Sequence, residues 1–98
     1  MPHQRGKFFY EEAMSRLEKA KERLKSIPKD YTYNEARALL LSLGFTESNK
    51  GKTSGSRVKF YRESDGEVFL LHKPHPSNVM IYKNVVGLIR FLTEIGEL

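Results

Sequence analysis

The sequence predicts a small α+β domain of two layers, in the order α-α-β-β-β-α, with helices laid on one face of a three-stranded antiparallel sheet. Three observations carry this. Apolar residues recur at three- and four-residue spacing as far as Leu43 and then alternate one in two from Phe45 to His72. An Asp65-Gly66 pair lies between the two longer alternating runs, where a hairpin turn belongs. Helical spacing returns from Tyr82 onward.

Taken in order, residues 8–27 read as an amphipathic helix, with Tyr10, Ala13, Met14, Leu17, Ala20, Leu24 and Ile27 on one stripe among Glu, Lys and Arg, and Pro28 as its stop. The stripe either packs on the domain's own core or serves a partner or self-association. "TYNEARALLLSLGF" is a second helix. Thr32 and Glu35 form a capping box, Ala36, Leu39, Leu40 and Leu43 form the inward face, and Gly44 followed by Phe45 is a Schellman-type stop. "FTE" predicts a short strand, and "NKGKTSGS" a glycine-rich loop. "RVKFYR" is a strand with Val58 and Phe60 on one side and Arg57, Lys59 and Tyr61 on the other. "VFLLH" is the third strand, which must end by His72 because Pro74 and Pro76 cannot continue a ladder. After a connection over 77–81, a last helix from about Tyr82 to Ile95 turns Val85, Val86, Leu88, Ile89, Leu92 and Ile95 inward, with Gly87 as its weak spot.

Ninety-eight residues suffice for one core, and 39% hydrophobic with 11% aromatic residues exclude a globally disordered chain. There is no cysteine, so a disulfide framework, a cysteine-based zinc site and a thiol nucleophile are all excluded. No run approaches the ~20 apolar residues of a membrane span, and the start lacks a signal-peptide pattern; the expected compartment is the cytoplasm, with no membrane partner. A formal charge of +5 favours a polyanionic partner, nucleic acid first. That charge is concentrated: Lys50, Lys52, Arg57, Lys59 and Arg62 fall in one acid-free run, followed at once by Glu63, Asp65 and Glu67.

"GKT" at Gly51 to Thr53 is not a phosphate-binding P-loop, because the required upstream glycine is Thr46 and a strand, not a helix, follows. "HKPHP", His72 to Pro76, has the H-x-x-H spacing of a chelate but no third and fourth ligand, so we expect no metal and no cofactor. The basic loop reads either as a solvated hairpin or as a phosphate-contacting surface, in which Lys50, Lys52 and Lys59 supply charge and the glycine- and serine-rich backbone around Ser54 and Ser56 supplies N–H groups. Lys73 extends the same set. The prolines fix a strand exit that holds His75 near this loop, and His72 reads as a sheet residue with a polar tip. An imidazole beside an anion-binding surface is what RNA phosphodiester cleavage requires: proton transfer from the 2′-hydroxyl and cations for the charge developing on phosphorus.

From Thr32 to Glu97, about two thirds of the chain, the order of elements and three landmarks resemble the HicA toxins of bacterial toxin–antitoxin modules. The landmarks are a helix ending "LGF", a "GS" turn at Gly55 and Ser56 before the long strand, and "PHP" at Pro74 to Pro76. The resemblance implies a fold like that of double-stranded RNA-binding domains, over residues 31–98. It also implies metal-independent endoribonuclease activity on mRNA and a HicB-like antitoxin partner. Residues 1–30 are then an N-terminal helical extension, a candidate for homo-oligomer contacts. The family places its catalytic histidine just after the glycine-serine pair, where this chain has Arg57 and Val58; His75 matches the histidine of the family's "HP" segment. The catalytic expectation falls on His75 and Arg57.

Overall fold

The computed structural model describes residues 16–48 and 57–98. Helix α1 runs through residues 16–25 of the described chain, α2 spans Tyr33–Ser42, β1 Thr46–Ser48, β2 Arg57–Arg62, β3 Glu67–His72 and α3 Tyr82–Glu94. The strands pair antiparallel in the order β1-β2-β3, an open three-stranded sheet. The architecture is thus a small α+β fold with the predicted sequence of elements.

Each helix stops where its backbone turns left-handed. Helix α1 ends two residues short of the expected 27, because Ile27 takes φ 52° while donating its N–H to the Leu24 carbonyl, and Pro28 follows. Helix α2 opens on the capping box: Thr32 accepts from the Glu35 N–H at 3.2 Å, and the Glu35 carboxylate accepts from the Thr32 N–H at 3.0 Å. It closes as a Schellman motif at Gly44, φ 95°, with the Phe45 N–H on the Leu40 carbonyl and the Gly44 N–H on that of Leu41. Helix α3 closes identically at Gly96, φ 88°, with the Glu97 N–H on Leu92 and the Gly96 N–H on Thr93. The first strand starts at Thr46 rather than at Phe45, whose side chain is buried in the core instead of opening the ladder.

One core joins the layers. Leu24 of α1, Tyr33, Ala36, Leu39 and Leu40 of α2, Val58 and Phe60 of β2, Leu71 of β3 and Val85, Leu88 and Leu92 of α3 are buried together, with Tyr31, Phe45 and Met80 from the connections. Phe91 stacks on Phe69 at 4.7 Å between ring centroids and meets Phe45 edge-on at 5.9 Å, tying α3 to the sheet. Leu17, Ala20 and Ile27 of the first stripe pack against this core as well; Tyr10, Ala13 and Met14 lie outside the described residues.

Topology then sorts the molecule into two ends. At one end β1 finishes, β2 starts, β3 finishes and both α2 and α3 begin. An isolated bridge between Thr32 and Val79 fastens the two helix entries, with the Tyr33 N–H on Asn78 at 2.9 Å and the Met80 N–H on Tyr31 at 2.8 Å. At the other end Arg62 holds the remaining chain reversals together. Its guanidinium donates to the Leu43 carbonyl at 2.8 Å, to Glu97 at 2.7 Å and to Asp65 at 2.8 and 3.1 Å, and stands 4.8 Å over the Phe45 ring.

Candidate nucleic-acid interface

Residues directly opposite one another in an antiparallel pair project from the same face of the sheet. The register sets Arg57 against His72, Lys59 against Leu70 and Tyr61 against Val68, while Lys59 and Tyr61 also face Ser48 and Thr46 of β1. These residues form the face that the helices leave uncovered. Arg57, Lys59 and His72 are exposed, as are Val68 and Leu70, each at 48%. The rungs of this face therefore carry two cations, one imidazole and no carboxylate, while Glu63 of the following turn lines a hollow with Lys59, Tyr61 and Val68. The single acid of β1, Glu47, points to the other side, where it accepts from the Tyr33 hydroxyl at 3.0 Å and from Arg37 Nε at 2.7 Å.

Ion pairing reinforces the asymmetry. Among the described residues, ion pairs engage Arg23, Lys25, Arg37 and Arg62, and Arg57, Lys59, Lys73 and Lys83 enter none. Arg16, Lys19, Lys21, Lys29 and Arg90, on or beside the helices, also enter none; Arg57 and Lys59 are the ones that the open sheet face carries. Glu63, Asp65, Glu67, Glu94 and Glu97 lie at or near the end of the sheet where β2 finishes and β3 begins, by their positions in the turn, at the start of β3 and after α3. Arg57 and Lys59 give the open face a local attraction for a polyanion, while Arg62 is occupied by Asp65 and Glu97 at that far end.

The sequence-predicted site residues separate into four groups. Arg57 and Lys59 share the open face. Lys73 directly follows β3, but its ammonium lies 5.6 Å from the centroid of the Tyr33 ring, beside the Tyr33–Glu47–Arg37 cluster rather than on that face. Lys50, Lys52, Ser54 and Ser56, with the Gly55–Ser56 pair, lie outside the described residues. His75 is exposed in the connection between β3 and α3, at a cis His75–Pro76 peptide bond, and no hydrogen bond among the described residues joins it to Arg57. Neither does any group of three His, Asp or Glu come together among those residues.

Two reassignments follow from strand parity. Arg62, counted with the basic run, has the parity of Val58 and Phe60 and belongs to the carboxylate network at the far end, so the cationic face stops at Lys59. His72, read as a sheet residue, is the direct neighbour of Arg57. The pairing follows from the observed register, in which residues 63–66 form the turn and Arg62 stands opposite Glu67; a two-residue turn at Asp65-Gly66 would have set Lys59 opposite His72 instead.

Comparison with protein-family models, with curated proteins and with solved structures returns no match. Among the described residues no helix is long and apolar enough to cross a membrane.

Proposed function

We propose that this chain is a HicA-like toxin, a cytoplasmic protein that binds and cleaves mRNA without a metal or cofactor and is neutralised by a HicB-like antitoxin partner. The observation that supports the reading best is the open sheet face, where Arg57 and Lys59 form no ion pair among the described residues and Arg57 stands at the end of the sheet from which "HKPHP" departs. Secondary support comes from the order of elements after α1, helix, three antiparallel strands and helix, which is the order expected of a domain like those that bind double-stranded RNA. The "LGF" landmark is the helix stop at Gly44.

In this reading Lys50, Lys52, Lys59 and Lys73, with Ser54 and Ser56, hold phosphates. Arg57 stabilises the charge that develops on the phosphorus oxygens, and His75 moves a proton. A guanidinium suits the first role and cannot perform the second, because it stays protonated at neutral pH. That same residue favours a second reading, a non-catalytic RNA-binding module of the same architecture.

Cleavage of a long unstructured RNA by the purified protein decides between them, with growth arrest on expression as the cellular check. The toxin reading expects cleavage that falls about 10²- to 10⁴-fold in His75→Ala, the usual worth of acid–base catalysis. Binding must weaken with salt at ~0.7 log units per phosphate contact on single strands, and Arg57→Ala with Lys59→Ala must flatten that slope by about 1.4. Cleavage by Arg57→His but not by the natural chain selects the binding module. Binding that is insensitive to both substitutions at low salt removes RNA altogether.

A further inference from the structure

We infer that the cross-strand pair of Arg57 and His72 is the phosphodiester-cleaving centre, with His72 as the group that accepts the 2′-hydroxyl proton of single-stranded RNA. This rests on the RNA-cleaving reading above and replaces its assignment of the proton carrier. Partners at one rung of an antiparallel ladder have Cβ atoms roughly 4.5–5.5 Å apart. A phosphate gripped by the Arg57 guanidinium is therefore within reach of the His72 imidazole, and the rigidity of the sheet holds both. His75 has no such constraint toward Arg57: it follows in a connection, beyond the last rung.

The surroundings leave His72 available. It takes part in no hydrogen bond or ion pair among the described residues. Facing it from the sheet are Arg57 and Lys59 of β2, while Ser48 and Thr46 of β1 add no charge and, among the described residues, β3 has no strand neighbour on its outer side. Lys73 and His75 follow it in the chain. Neither Arg57 nor Lys59 forms an ion pair among the described residues, and Glu63 of the turn shares a surface hollow with Lys59 and Tyr61 rather than with Arg57 and His72. Successive same-face positions along a strand are about 6.8 Å apart, two residues at ~3.4 Å each, which suits the repeat of an extended RNA strand. Lys59 then meets the next phosphate and Tyr61 offers a ring for a base to stack on.

The step balances as follows. The 2′ oxygen attacks phosphorus as its proton passes to His72; the bond from phosphorus to the 5′ oxygen breaks, and that oxygen leaves with the electron pair and takes a proton from solvent. The products are a 2′,3′-cyclic phosphate and a 5′-hydroxyl, and His72 returns its proton to solvent. A strand lacking a free 2′-hydroxyl binds and is not cut.

The test measures cleavage of single-stranded RNA by the full chain and by His72→Ala, His72→Gln and His75→Ala across pH, with products identified by phosphorus NMR. Expected are a cyclic phosphate end and a loss of about 10²- to 10⁴-fold in both His72 variants. The acid limb of the rate profile should vanish in His72→Gln. Affinity for a 2′-O-methyl strand should stay unchanged, and that strand should shift the His72 ring signals. Full cleavage by His72→Ala overturns the inference and leaves the ribonuclease reading standing, with a loss confined to His75→Ala locating the chemistry in the connection. A natural chain that cuts no RNA overturns both.

Discussion

Arg57 and Arg62 begin and end the same strand, and their surroundings give them opposite jobs. Arg57 stands exposed on the open face and forms no ion pair among the described residues. The side chain of Arg62 is only 11% exposed and satisfies Asp65, Glu97 and the Leu43 carbonyl together. Removing Arg62 strands two carboxylates and a carbonyl, and hydrogen bonds to charged groups are worth about 1.5–3 kcal/mol. Arg62→Ala should therefore lower unfolding stability by about 2 kcal/mol, whereas Arg57→Ala, like most surface substitutions, should change it by less than about 0.5 kcal/mol. Urea unfolding of the two variants checks this, and equal losses would contradict the division of labour. The distinction was legible in the strand's alternation, since Arg62 shares the parity of Val58 and Phe60. It was hidden by reading the cations as one uninterrupted run.

At the scale of elements, the helix stops divide into those that local chemistry dictates and one that it does not. Gly44 and Gly96 adopt the left-handed backbone that glycine reaches at no steric cost, and both follow the spacing that a Schellman motif requires. Only the first was read from the sequence, although "IGEL" carries the same signal. Ile27 is different. No propensity places a β-branched residue at φ 52°; its side chain packs against the core, and burial offsets the local strain. Gly87 sits inside α3, where an added Cβ meets nothing within 4 Å, so Gly87→Ala should stabilise the protein by about 0.5–1 kcal/mol. At Gly44 an added Cβ would come within 3.3 Å of Arg62 Cδ in a backbone conformation that alanine disfavours, so Gly44→Ala should destabilise. Thermal melts of the two variants must move in opposite directions. The strands were legible for the same reason as the capping box: each is specified by residues close in sequence. The partnership of His72 with Arg57 depends on counting register across a turn, and the placement of Lys73 beside Tyr33 depends on tertiary packing that no local pattern encodes.

Over the whole molecule, the carboxylates and phenols whose titration the fold shifts lie away from the rungs of the open sheet face. The Arg23 guanidinium, donating to the Glu35 carboxylate, holds it below the usual carboxylate range despite partial burial, and the Thr32 N–H adds to this. Arg62 does the same for Asp65. Burial, helped by the Glu35 charge, pushes the Tyr31 hydroxyl up to about 12, and burial with the hydrogen bond to Glu47 raises Tyr33 too. The signs follow. The carboxylates hold protons more weakly when folded, so their contribution is present above the unfolded carboxylate range and is lost as pH falls through the lower folded values. The tyrosines hold protons more tightly when folded, so theirs is present below the free phenol value of ~10 and is lost as pH rises toward the folded value. Stability should be level between these limits. Denaturant midpoints measured from acid to alkaline pH test this, and Glu35→Gln should lower the plateau and soften the acid fall. The ladder has one further consequence, for insertions and deletions. One residue added within β2 or β3 would turn every side chain beyond it through the sheet, Leu71 outward and His72 inward. The same residue added in the turn over 63–66 leaves the ladder in step. Change of length is thus open to the chain at its reversals and closed along its rungs, because there one miscount would exchange the buried face and the open face together.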